Sequence, residues 1–147
     1  MFRGTRDGFT SKAFDSKCDG KKNTVTNIKN NLNYVLGGYT SQAWDNARGW
    51  ISDKEAFIFS LKRNGESKKD IFKAESSGDK LSHILYFGRD NICIFENSNI
   101  NRRNYSDLGS AYETLFGLNR QSEDSRNYFC GTYSNWLTME LEVYQII

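Results

Sequence analysis

Leu137-Thr138-Met139-Glu140-Leu141-Glu142-Val143-Tyr144, close to the C-terminus, alternates apolar and non-apolar side chains without interruption. Successive side chains of a strand point to opposite faces, so this period of two sets Leu137, Met139, Leu141 and Val143 inward. Thr138, Glu140, Glu142 and Tyr144 then face water. One dry face and one wet face mark an antiparallel sheet, since parallel strands are usually apolar on both sides.

Working back along the chain, the same period recurs. Phe57, Phe59 and Leu61 alternate with Ala56, Ile58 and Ser60, which predicts a strand apolar on both faces and central in its sheet. Thr24 to Lys29 and Tyr34 to Thr40 read as partners around Asn30-Asn31-Leu32-Asn33, whose asparagines tolerate left-handed backbone. Asn64-Gly65 is the strongest tight-turn signal. Leu81 to Phe87 and Ile92 to Phe95 form two more strands around Gly88 to Asn91. One helix start stands out: Thr10 caps, Phe9 and Phe14 have the spacing of a hydrophobic staple, Phe14 and Cys18 share a face, and Gly20 ends it. The polar, asparagine-rich stretch from Glu96 to Asp107 predicts a mobile surface loop, and Asn119 to Asn127 a second. No strand–helix repeat suggests a parallel sheet. The expected fold is mainly β (α+β), a two-layer antiparallel β-sandwich with one or two short flanking helices.

Bulk composition fits one domain spanning residues 1–147. A chain of this length buries roughly 70% of the surface it exposes unfolded. Twenty Lys and Arg against eighteen Asp and Glu leave a net charge of +2, too little clustered charge to hold nucleic acid. Three cysteines at wide spacing do not make a disulfide framework. Neither a signal-peptide core nor a run of membrane-spanning length is present, so an intracellular, cytoplasmic setting is expected. Without secretion, the sequon Asn104-Tyr105-Ser106 carries no meaning. Proline is absent, which leaves the turns to Gly and Asn.

Four groups of residues, in order along the chain, resemble the TLDc family. Arg6-Asp7-Gly8-Phe9 with Cys18-Asp19-Gly20 resembles its opening motif, and Gly37-Gly38-Tyr39 with Trp44 its glycine turn and tryptophan. Asp53, Glu55, Ala56, Phe57, Phe59 and Leu61 resemble its acidic-then-aromatic strand, and Glu140-Leu141-Glu142-Val143-Tyr144 its closing strand. The resemblance implies a β-sandwich with a few helices and an association with protection against oxidative damage. It also implies a protein partner, since several members bind the vacuolar proton-pumping ATPase and promote or regulate its disassembly. No reaction is generally agreed for the family. Two departures stand out. Members usually carry an extra segment before the equivalent of Phe2-Arg3-Gly4, so the domain is expected to lack its first N-terminal element and to expose a sheet edge. Of the glycine-rich turn before Ile92 to Phe95, only Gly88 is left.

An enzyme would have to use few groups. His83, the sole histidine, alternates with Leu81 and Leu85 and reads as a strand-face residue rather than a catalytic base. No Cys-x-x-Cys or paired histidines suggest a metal, and no cofactor is implied. Gly37-Gly38 lacks the lysine and spacing of a phosphate loop. Asp53 and Glu55 are the candidate acid–base pair, with Asp7 and Asp19 as conjectural neighbours. The plainer alternative has Glu55 and Asp7 pairing with Arg3 or Arg6 to hold loops. Cys130, before Gly131, is the candidate redox thiol; Cys18 sits at the wrong helix end to stabilise a thiolate, and Cys93 reads as core. The leading expectation is a non-enzymatic interaction module using loops 45–52 and 97–107, with Trp44, Trp50 and Tyr105 as anchors. A lectin-type sandwich would instead show a row of exposed aromatics along one concave face.

Overall fold

The computed structural model describes residues 1–45, 51–74, 80–81, 85–88, 90–108, 112–114, 117–120 and 122–147. His83 and Trp50 lie outside the described residues. Two antiparallel sheets form the sandwich that the period-two pattern predicts. The first has six strands: β1 (Phe2–Arg3), β2 (Thr24–Asn30), β3 (Val35–Thr40), β4 (Phe57–Arg63), β5 (Glu66–Lys73) and β11 (Thr138–Gln145), ordered β1-β11-β2-β3-β4-β5. The second has β6 (Lys80–Leu81), β7 (Leu85–Phe87), β8 (Ile92–Ile94), β9 (Asn104–Tyr105) and β10 (Ser134–Trp136), ordered β10-β9-β8-β7-β6. Among the described residues three short helices flank them: α1 (Gly4–Asp7), α2 (Ser11–Cys18) and α3 (Glu123–Asn127).

The hairpins follow their turn residues. Asn33 joins β2 to β3 at φ 63°, while Asn64 and Gly65 join β4 to β5 at φ 50° and 80°. In α2 the Thr10 side chain accepts the Ala13 amide at 3.2 Å, and Phe14 and Cys18 form the buried stripe. Ile28, Leu36, Ile58, Phe72, Leu141 and Val143 supply the inner face of the first sheet. Leu85, Phe87, Ile92, Ile94 and Trp136 meet them from the second.

Several expectations need correction. On β11 the register slips between Thr138 and Glu140, against adjacent Asn30 and Lys29 of β2, so Met139 is the extra residue of a bulge. Thr138 is therefore buried and Met139 is 53% exposed, while Leu141 and Val143 point inward as expected. A bulge breaks the phase that strict alternation assumes. β4 is not central but next to the edge, with β5 outside it and Leu61 exposed. The segment from Glu96 to Asp107 is not a bare surface loop. It contains β9 and buries Ser98, Asn104, Ser106 and Asp107. The polar side chains replace missing backbone partners there, which makes a packed segment read like a loop. Within the second expected loop, Ser122 caps α3 by accepting the Ser125 amide, and Glu123 and Asp124 occupy the favourable first turn.

Candidate functional site

The N-terminal motif and the tryptophan meet. Gly20, at φ 73°, turns the chain out of α2 and donates its amide to the Trp44 carbonyl at 2.9 Å. Trp44 returns its own amide to the Lys21 carbonyl at 3.2 Å, and its indole Nε1 donates to Thr24 Oγ1 at 2.9 Å. The ring packs edge-on to Phe14 and Phe87, with centroids 5.3 and 6.2 Å away. Fully buried, Trp44 is a core residue and not the surface anchor expected of it. A cleft of about 410 Å³ opens beside this junction, lined by Asp19, Gly20, Lys22, Gln42, Trp44 and Ile51.

The glycine pair admits aromatic rings from both sides. A Cβ on Gly38 would stand 2.7 Å from the Phe87 ring of the opposite sheet, and one on Gly37 would stand 1.9 Å from the Thr26 carbonyl oxygen and 2.6 Å from Phe59 Cζ. Close approach, not phosphate binding, explains both.

Asp53 is a bracket. Its Oδ2 accepts Thr40 Oγ1 at 2.7 Å and the Ser41 amide at 2.8 Å; its Oδ1 accepts Ser41 Oγ at 2.8 Å and the Glu55 amide at 3.1 Å. The carboxylate is 2% exposed and ties the end of β3 to the start of β4. The local turn brings the Glu55 backbone, not its carboxyl, to Asp53, and leaves the Glu55 side chain exposed. The two acids therefore do not form the paired arrangement that acid–base work needs.

Asp7 takes the structural role foreseen for it. Arg6 Nη2 lies 2.7 Å from Asp7 Oδ2, which also accepts the Arg3 amide at 2.9 Å. The Arg6 hydrogen bonds and then the Arg3 amide hold its carboxyl well below the usual carboxylate range. Glu55 is not Arg3's partner: Arg3 Nε donates to Glu140 Oε2 at 2.8 Å, and Thr5 Oγ1 donates to the same oxygen at 2.5 Å. Burial works against ionisation of Glu140, but these bonds from Thr5 and Arg3 win and lower its pKa. This Arg3–Thr5–Glu140 knot was not read from the sequence, because its members stand at opposite ends of the chain.

All three thiols are free and buried. Burial pushes each of Cys18, Cys93 and Cys130 up to about 12, the opposite of what a peroxide-reactive thiolate needs. Cys130 in particular is fully enclosed, and its carbonyl accepts Asn30 Nδ2 at 2.9 Å. Among the described residues no group of three or more His, Cys, Asp or Glu is placed to hold a metal ion.

On the outer side of the second sheet Tyr86, Phe95, Tyr105 and Tyr133 make a row of ring contacts 5.8 to 6.0 Å apart. Arg103 sits over Phe95 and Arg126 over Tyr133, at 5.6 and 5.3 Å. Tyr105 is half-buried within the row, so it is not a free-standing anchor. Beneath it the Asn104 amide, buried, donates to the Ser98 and Trp136 carbonyls and accepts the Phe95 amide. The sequon asparagine is a packed structural residue.

A family model described as the TLDc domain matches residues 1–147, the whole chain. No curated protein matches it.

Proposed function

Since the chain belongs to the TLDc domain family, we propose that it is a non-enzymatic interaction module that binds the vacuolar proton-pumping ATPase and regulates its assembly. The family supports an oxidative-stress-related domain. The pump as partner and the cytoplasmic setting belong to this proposal; among the described residues no helix is long and apolar enough to cross a membrane.

One observation favours binding over chemistry: the groups best suited to catalysis are committed to holding the fold. Asp53 has four hydrogen bonds within the protein, and Cys130 is enclosed with its thiol proton held on. On this reading Arg6, Asp7, Gly8, Phe9, Cys18, Asp19, Gly20, Gly37, Gly38, Trp44, Asp53, Glu55 and Phe57 are framework residues that position the surface. The test is co-sedimentation of the purified domain with vacuolar membranes from energised and de-energised cells. Recovery with pump subunits, and a changed ratio of membrane-bound to released catalytic sector, is expected. Failure to associate in both conditions overturns the proposal.

A further inference from the structure

At the far end of the β4–β5 hairpin stands an arginine with an unusual environment. The Arg63 guanidinium lies 4.1 Å from the centre of the Tyr128 ring. Tyr128 in turn donates its hydroxyl to Asp70, so the carboxylate is engaged by the tyrosine and enriches the ring that faces the arginine. Among the described residues Arg63 belongs to no ion pair, and its Nε is buried without a hydrogen-bond partner. An enclosed charged donor left unmatched is costly, and a carboxylate matches a guanidinium fork in geometry and charge.

The surroundings fit such a ligand. Arg63 lines an open cleft of about 350 Å³ with Tyr34, Leu118, Asp124, Asn127 and Tyr128. Tyr34 and Leu118 give it an apolar wall suited to a short methylene stem, and Asn127 adds a polar group. Asp124 at the rim disfavours a dianion such as phosphate more than it disfavours a single carboxylate. Along the same hairpin, residues 62–70 carry Lys62, Arg63, Lys68 and Lys69 against Glu66 and Asp70, and the three lysines are exposed. Such a field raises the local concentration of an anionic chain.

We propose that Arg63, its Tyr128 platform and the basic β4–β5 hairpin form an anion subsite that receives a glutamate or aspartate side chain from an acidic segment of a protein partner. The guanidinium, 4.1 Å from the ring centre, offers its N–H groups to the incoming carboxylate from the cleft wall. This rests on the interaction-module reading for its biological setting, but the subsite can be tested without the pump.

The probe is hexaglutamate, with hexaglutamine and inorganic phosphate as controls at matched ionic strength. The readout is the Arg63 Nε–H cross-peak in nitrogen-15 NMR of the whole chain, identified by its loss in Arg63→Lys. Hexaglutamate is expected to move that peak saturably, hexaglutamine to leave it in place, and Arg63→Gln to weaken binding by about ten-fold or more. Arg63→Lys, which keeps the charge without the fork, falls between. An unmoved peak, or binding by Arg63→Gln within about two-fold of the parent, overturns the subsite. Phosphate moving the peak as far as hexaglutamate overturns the carboxylate assignment. Should Arg63→Gln fail to fold, the peak and Arg63→Lys still decide. Hexaglutamate binding without pump association defeats only the pump proposal; pump association unchanged by Arg63→Gln defeats only the subsite.

Discussion

The Phe87 ring of one sheet comes within 2.7 Å of the point where a Cβ on Gly38 of the other would stand. Trp44 packs edge-on against the same ring, so the two layers are locked where the glycine pair leaves room.

Gly38→Ala is therefore expected to force the sheets apart or push Phe87 off its rotamer, at a cost of about 1–3 kcal/mol. Denaturant unfolding measures it. Combining Gly38→Ala with Phe87→Leu is expected to cost less than the two single changes added together, because the clash is between these two side chains. Strict additivity would mean the contact is not the cause.

Asp53→Ala removes an acceptor from four donors in a dry site and is expected to cost about 3 kcal/mol, with Asp53→Asn milder because one oxygen remains. Glu55→Gln, on an exposed side chain, is expected to change stability by less than about 0.5 kcal/mol. Equal losses for Asp53→Ala and Glu55→Gln in the same unfolding assay would contradict the bracket.

The thiols make an alkaline prediction. Each is held near 12 in the fold against 9.0 for a free thiol. The unfolded chain therefore releases these protons first, and stability falls as pH rises from about 9 to about 12. Each thiol contributes a slope of up to about 1.4 kcal/mol per pH unit. Cys130→Ala should flatten the decline relative to its own value at pH 7. A disulfide-exchange probe should label no cysteine in the folded protein and all three on unfolding.

The β1 edge answers to acid. Asp7 and Glu140 both have lowered pKa values in the fold, so their contribution is complete above the free values of 3.8 and 4.5 and is lost as pH falls below them. Hydrogen exchange at the Phe2 and Arg3 amides should begin to accelerate as pH falls below about 4.5 and go on accelerating as it falls further, ahead of global unfolding. In Asp7→Asn this acid step should be smaller. Identical profiles for parent and variant would remove Asp7 from the mechanism.

Local signals in the sequence carried most of the fold. Asn64-Gly65, the Thr10 cap and the Leu141–Val143 alternation each act over a few residues, and each is found where it was expected. The Met139 bulge was invisible because a phase slip depends on the partner strand, here Asn30 and Lys29. Asn104 misled for a related reason: an amide that substitutes for backbone partners in the core is the same residue that marks a loop at the surface. Of the candidate site, nothing local brought Cys18-Asp19-Gly20 to Trp44 or placed Arg63 on Tyr128, 65 positions later by number, because both contacts join segments distant in the chain.

The pairing of Phe2 with Val143 brings the two ends of the polypeptide to one corner of the sandwich. The β4–β5 margin lies at the opposite edge of the six-stranded sheet from that corner. A short linker spanning that corner should permit circular permutation, and a donor–acceptor dye pair placed there would report directly on detachment of the outermost strand.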